Sequence, residues 1–211
     1  MRALIFDYDG LIIDTETPEF ECWQRVYAEH GHDLNVDTWV HVIGTVDTMD
    51  PAAQLDKLVG RALDWPLIHE RRMRHHKELI QAKGLLPGVK SLMARARAAG
   101  WKVGVASSSS SAWVEGGLER LGLMPYVQTV RTRDRVKNLK PHPEPYLSAL
   151  ADLGAEAAQS YAFEDSRPGV TAAKAAGLTV VAVPNALTRL HDLSHADALL
   201  KSLEDFSLPE D

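Results

Sequence analysis

Residues 5–14 read IFDYDGLIID, and this stretch decides the fold. Ala3-Leu4-Ile5-Phe6 is an uninterrupted apolar run that fits a strand buried on both faces. It ends abruptly in Asp7, with Asp9 two residues on, then Gly10, then more apolar residues and Asp14. Side chains two apart on extended chain share a side, so Asp7 and Asp9 face the same way. Gly10 permits a tight turn away from them.

The same pattern recurs along the chain. Short apolar runs predict strands at Ala3–Phe6, Val103–Ala106, Val127–Val130, Tyr161–Phe163 and Thr179–Val183, with a weak sixth at Ala198–Leu200. Between them, helical patterns run over Val89–Ala99, Ala112–Leu121, Glu144–Leu153 and Gly169–Ala176, each stopping at a glycine suited to a left-handed cap. This alternation predicts an α/β fold, a Rossmann-like parallel sheet with helices on both faces. Residues 15–85 break the rhythm: helices fit Thr17–Gly31, Val36–Val42, Ala52–Leu63 and Pro66–Lys83, and no strand fits well. The expected organisation is an α/β core of residues 1–14 and 86–211, with an inserted all-helical cap of residues 15–85 serving as a lid.

In a parallel sheet the carboxyl ends of the strands meet on one edge, where ligands bind. That edge would gather Asp7 and Asp9, then Ser107-Ser108-Ser109, then Lys140-Pro141, then Glu164-Asp165. Carboxylates for a hard cation, a carboxylate nucleophile, a second carboxylate to move a proton, and a hydroxyl and an ammonium for phosphoryl oxygens make a set for Mg²⁺-dependent phosphoryl transfer. Each piece alone has a plainer reading as a helix cap, a turn or a linker. Four clusters in register outweigh it. A calcium loop is excluded by the ligand spacing. Of the serines, Ser107 follows the strand directly, and Ser109–Ser111 are expected to cap the next helix. Lys140, in Lys-Pro-x-Pro, is preferred to Lys137.

The stretches FDYDGLIIDTE, VGVASSSS, KPHPEPY and AFEDSRPGVTAAKAAGL, taken together, resemble the haloacid dehalogenase superfamily, in the subgroup with a small helical cap that includes beta-phosphoglucomutase and many sugar-phosphate phosphatases. The resemblance spans about residues 1–200. It implies that Asp7 is the nucleophile and Asp9 the general acid and base. Ser107 and the Ser108 amide would bind phosphate, and Lys140 would balance the nucleophile and the phosphoryl group. Mg²⁺ would be held by Asp7, Asp165 and the Asp9 main-chain carbonyl, with Glu164 assisting directly or through water. The second acid, Asp9, implies phosphoryl transfer and not dehalogenation. A mutase of the beta-phosphoglucomutase type is the alternative. Against it, that enzyme's histidine is replaced here by Glu19, and its cap-loop arginine by Asp47 in IGTVDTM. A receiver-like protein phosphorylated on Asp7 is a third reading, disfavoured by the lid-sized insertion.

Composition sets the remaining bounds. The 211 residues carry a net charge of -6 with no basic stripe, which argues against nucleic acid as a partner. No apolar run approaches the roughly 20 residues that span a membrane. The single cysteine, Cys22, excludes an internal disulfide, suits a reducing compartment such as the cytoplasm, and is expected to be buried. A monomer acting on a small phosphorylated metabolite is expected. His75-His76 reads as a solvated helix face, and His191 and His195, four apart, lack a third ligand for zinc. Trp23, Trp39 and Trp65 read as cap core, and Arg72 and Arg74 as surface residues within reach of substrate.

Overall fold

The computed structural model describes residues 1–39, 43 and 50–209. Its centre is a six-stranded, all-parallel sheet in the order β3-β2-β1-β4-β5-β6. The strands are β1 (Ala3–Phe6), β2 (Lys102–Ala106), β3 (Thr129–Arg131), β4 (Tyr161–Glu164), β5 (Thr179–Ala182) and β6 (Ala198–Leu199). The chain first builds outward from β1 through β2 to β3, then returns to the other side of β1 with β4. The strand order therefore reverses between β1 and β4, the place where open α/β sheets bind their ligands.

All four residues of β1 are fully buried, and their alternation explains both layers. Leu4 and Phe6 join one cluster with Leu92 and Met93 of α5 (Val89–Ala98) and Val114 and Leu118 of α6 (Ser111–Arg120). Ala3 and Ile5 join the opposite cluster with Tyr146 and Leu150 of α7 (Glu144–Leu153) and Val170 and Ala173 of α8 (Arg167–Ala175). The helices end at Gly100, Gly122, Gly154 and Gly177, all with positive φ.

Residues 16–82 contribute α1 (Glu16–Glu29), α2 (Val36–Trp39), α3 (Pro51–Val59) and α4 (Trp65–Ala82). Phe20, Val26, Tyr27, Leu34, Trp39 and Leu55 form a cluster of their own there, joined by Leu187 from the loop after β5. The two chain crossings to these helices run side by side. Lys83 Nζ lies 2.8 Å from Asp14 Oδ2, and the Leu86 N–H donates to the Ile12 carbonyl at 3.0 Å. Among the described residues no helix is long and apolar enough to cross a membrane.

Most boundaries shift by one or two residues from the sequence reading, and three of the shifts have clear local reasons. β3 starts at Thr129, because the Val127 N–H turns back to the Met124 carbonyl at 3.3 Å and pairing with β2 begins at Gly104. α3 stops at Val59, because Gly60 is left-handed and Asp56 Oδ1 takes the Leu63 N–H at 3.0 Å. α8 starts at Arg167, because the Ser166 hydroxyl caps the Gly169 N–H. The end of the expected helix Val36–Val42, and Asp47, lie outside the described residues.

The helix α6 carries two adjacent glycines in different settings. A Cβ on Gly116 meets nothing within 4 Å, whereas one on Gly117 would run into the buried Tyr8 ring and hydroxyl. We expect Gly116→Ala to stabilise the fold by up to about 1 kcal/mol. Gly117→Ala should destabilise it by about 1–3 kcal/mol. Urea midpoints of the two variants check this; equal shifts of the same sign would contradict the packing of α6 on Tyr8.

Candidate active site

The segments after β1, β3, β4 and β5, at the carboxyl edge of the sheet, build one buried polar corner. Asp7 leaves β1 with its N–H on the Phe163 carbonyl, 3.0 Å away, so β4 fixes its backbone. Lys140 arrives from the loop after β3. Its Nζ lies 2.6 Å from Asp7 Oδ1 and 2.6 Å from Glu164 Oε1. That loop is anchored by the carboxylate of Glu144, which accepts the N–H groups of Lys137 at 2.7 Å and Asn138 at 3.0 Å. Glu164 also accepts from the Tyr146 hydroxyl on α7 and the Ser166 hydroxyl. Asp165 Oδ2 accepts from Asn185 Nδ2 at 2.8 Å, from the loop after β5. Lys137, the other lysine nearby, is exposed.

Gly10 is needed for close approach here. Its φ is +80°, and a Cβ would overlap the Asp165 carboxylate and the Asn185 amide. Gly169 lets the start of α8 lie against Glu164 in the same way.

The corner holds three carboxylates, Asp7, Glu164 and Asp165, and one ammonium, Lys140, all buried. Burial pushes the Asp7 carboxyl up to about 8; Lys140 opposes this, and Glu164 and Asp9 add to it. Asp165 is raised well above the usual carboxylate range by burial and by Asp7 and Glu164. Burial alone would lower the Lys140 ammonium, but the two carboxylates beside it hold it above its ordinary value. Ionising all three carboxyls would therefore leave an excess of negative charge that Lys140 alone does not neutralise. Asp7, Glu164 and Asp165 each present an oxygen, all within 4.8 Å of one another. Oxygen donors at this separation, with uncompensated charge, fit a hard divalent cation such as Mg²⁺.

Asp9 lies beside this corner and is held separately. Trp113 Nε1 donates to its Oδ1 at 2.8 Å, and the Ser109 hydroxyl to its Oδ2 at 2.6 Å. Ser107 follows β2 directly and its N–H donates to the Arg131 carbonyl at 2.8 Å. Above lies a cavity of about 520 Å³. Asp7, Asp9, Ser107, Ser108, Lys140 and Asp165 line it from the sheet side, and Glu16, Glu19, Met73 and His76 from α1 and α4. Glu16 is pushed up to about 8 by burial and by Asp9, Glu19, Asp7 and Asp14.

The chain matches the family model of haloacid dehalogenase-like hydrolases over residues 4–183. It belongs to that family. YhcW of Bacillus subtilis (strain 168), named as a phosphatase, is 38% identical over 99% of this chain and 94% of its own length. The phosphorylated carbohydrates phosphatase of Thermotoga maritima is 30% identical over 96% of this chain and 91% of its own. Among solved structures, a variant of CbbY from Rhodobacter sphaeroides in complex with xylulose-(1,5)bisphosphate superposes with a TM-score of 0.75 at 26% identity, covering 96% and 95% of the two chains.

For this haloacid dehalogenase-like hydrolase, the sequence placed Asp7, Asp9, Ser107, Ser108, Lys140, Glu164 and Asp165 on one edge, and the structure brings all seven to or beside one cavity. It also recruits residues the sequence reading did not assign there. Of Ser109–Ser111, expected to cap α6, Ser110 does so by accepting the Trp113 N–H, whereas Ser109 turns to Asp9. Tyr146 lies inside the KPHPEPY stretch, where nothing but its type marks it, and Asn185 would have been found by extending the strand-end search to β5. His76, expected on a solvated face, is buried instead, its ring stacked on Trp113 with centroids 5.8 Å apart. Burial lowers its pKa and Glu19 opposes that. Arg72 pairs with Glu19 and lies over the Trp23 ring at 4.8 Å, and Arg74 pairs with Glu70 at the surface. Cys22 is a buried free thiol.

A raised carboxyl stabilises the fold fully below its unfolded value of 3.8 and loses that contribution as pH rises through about 8. A cation that binds the same oxygens reverses the loss. We expect the gain in Tm on adding Mg²⁺ to grow between about pH 5 and about pH 8. Melts with Mg²⁺ and with chelator check this; a gain independent of pH would contradict binding at the acidic corner.

Proposed function

We propose that the chain is a Mg²⁺-dependent phosphomonoesterase that hydrolyses a small phosphorylated metabolite, a sugar phosphate, through an aspartyl-phosphate on Asp7. The observation that carries this is the Asp7 carboxylate. One oxygen is tied to Lys140, and the other takes no hydrogen bond from the described residues on the floor of a substrate-sized cavity. The names of the relatives, phosphatases of phosphorylated carbohydrates among them, support the substrate class.

An Asp7 oxygen forms a bond to phosphorus as the bond from phosphorus to the leaving oxygen breaks. Asp9 gives that oxygen a proton. Asp9 then takes a proton from a water, whose oxygen attacks phosphorus and breaks the bond to Asp7, releasing phosphate and restoring the enzyme. Ser107, the Ser108 amide and Lys140 hold the phosphoryl oxygens as charge develops. Asp7, Asp165 and the Asp9 main-chain carbonyl would hold Mg²⁺, with Glu164 assisting directly or through water. The bound ion supplies positive charge against the nucleophile and the phosphoryl group. Residues 15–85 act as the cap that excludes bulk water, over a core of residues 1–14 and 86–211. The cytoplasm suits the buried free thiol of Cys22.

The mutase alternative gains nothing from Glu19. Its carboxylate is occupied by Arg72, by Trp23 Nε1 at 3.1 Å and by His76 at 3.4 Å. Inorganic phosphate as the product from a panel of sugar phosphates is expected, and an isomerised sugar phosphate without phosphate release would favour the mutase.

Asp7→Asn keeps the side-chain shape and removes the attacking charge. Turnover should fall by roughly 10⁴-fold or more with the fold retained. Near wild-type turnover would sink the mechanism. Asp9→Asn should give a burst of phenolate from 4-nitrophenyl phosphate, whose leaving group needs little protonation, followed by slow release. Rapid-quench trapping should find the phosphoryl group on Asp7.

A further inference from the structure

Trp113 stands in the first turn of α6 with its indole committed to two different parts of the molecule. Its ring N–H points to the sheet edge and donates to Asp9 Oδ1 at 2.8 Å. Its ring is covered by the imidazole of His76 from α4, at 5.8 Å between centroids and 22° between planes. The indole therefore links Asp9 directly to the helical block on the far side of the cavity. Its base is rigid: Ser110 caps the helix and accepts the Trp113 N–H at 3.4 Å. His76 is located in turn, with its Nε2 3.4 Å from Glu19 Oε2, and Glu19 ties α1 to α4 through Arg72.

From this geometry we infer that Trp113 is the positioning residue for Asp9, and that the His76 stack makes the aim of the Asp9 carboxylate depend on the seating of α4 over the site. The inference rests on the reading of Asp9 as acid and base. With α4 in place, the stacked ring fixes the indole, the indole holds Asp9 Oδ1, and the hydroxyls of Ser109 and, at 3.4 Å, Ser107 hold Oδ2. With α4 displaced, the indole loses its cover and Asp9 keeps only hydroxyl donors.

The test compares kcat/KM for two esters of one shape, 4-nitrophenyl phosphate and 4-methylphenyl phosphate, in the Mg²⁺-loaded enzyme. Only the second has a leaving group that needs a proton. Because the ratio of the two values does not depend on the fraction of folded protein, a purely structural loss leaves it unchanged. Asp9→Asn should raise the nitrophenyl-to-methylphenyl ratio strongly. If it does not, the acid role of Asp9 falls, and this inference with it. Trp113→Phe keeps the ring and removes the N–H. It should raise the ratio by about tenfold, the scale of one charge-assisted hydrogen bond. If Asp9→Asn moves the ratio and Trp113→Phe does not, the inference is overturned while the Asp9 reading stands. His76→Ala should raise the ratio in the same direction, and His76→Phe, which keeps a stacked ring, should restore it. The double variant Trp113→Phe/His76→Ala should show no further rise, since both act through one N–H. Additive effects would break the link between α4 and Asp9. Should Trp113→Phe fail to fold, the His76 pair decides alone: no difference between Ala and Phe overturns the inference.

Discussion

A single buried ammonium holds the site together. Lys140 Nζ sits between Asp7 and Glu164, 2.6 Å from each, with all three side chains nearly inaccessible. Removing one partner of such a group strands the others and costs about 3–5 kcal/mol. The constraint explains much of the surrounding architecture. The loop after β3 is pinned by Glu144 so that Lys140 reaches its partners, and Tyr146 and Ser166 occupy the rest of Glu164. Even so, the ammonium covers only part of the negative charge. The excess, expressed as raised Asp7 and Asp165 carboxyls, is what a divalent cation and a phosphoryl group would meet.

The sheet makes that charge density possible. Parallel strands put all their carboxyl ends on one edge, and the reversal of strand order between β1 and β4 opens a crevice there. Backbone hydrogen bonds carry the positional accuracy: Asp7 N–H on Phe163, Ser107 N–H on Arg131, Val183 N–H on Glu164. Side chains attached to these strand ends start from fixed points, so little ordering remains to be done when a substrate arrives.

Asp9 obeys different rules from Asp7. It is half-buried, outside the ammonium's grip, and held by donors from the loop and helix after β2. Asp7, the nucleophile of the proposed mechanism, belongs to the sheet. Asp9 lies near the boundary with α1 and α4, whose two chain crossings are laced together by Asp14 and Lys83. The acid and base role proposed for Asp9 asks for a group at such a boundary, less buried than Asp7.

The residues themselves determined the α/β architecture, the placing of Asp7, Asp9, Ser107, Lys140, Glu164 and Asp165 at the carboxyl edge of the sheet, and the helix stops at Gly100, Gly122, Gly154 and Gly177. These are local properties: period, an apolar run that stops at an acid, a glycine where the chain turns left-handed. Choices among near-equivalent residues were not local. Five consecutive serines offer the same hydroxyl, and only the placement of α6 against Asp9 made Ser110 the cap and turned Ser109 inward. His75 and His76 are chemically alike, and only the packing of α4 over α6 buried one against Trp113. Tyr146 carries no signal beyond its type, and Asn185 none beyond its place after β5, because their roles come from partners 18 and 20 residues away, across the sheet edge. A hydrogen bond needs two groups in one place, and for groups far apart along the chain that place exists only once the sheet has formed.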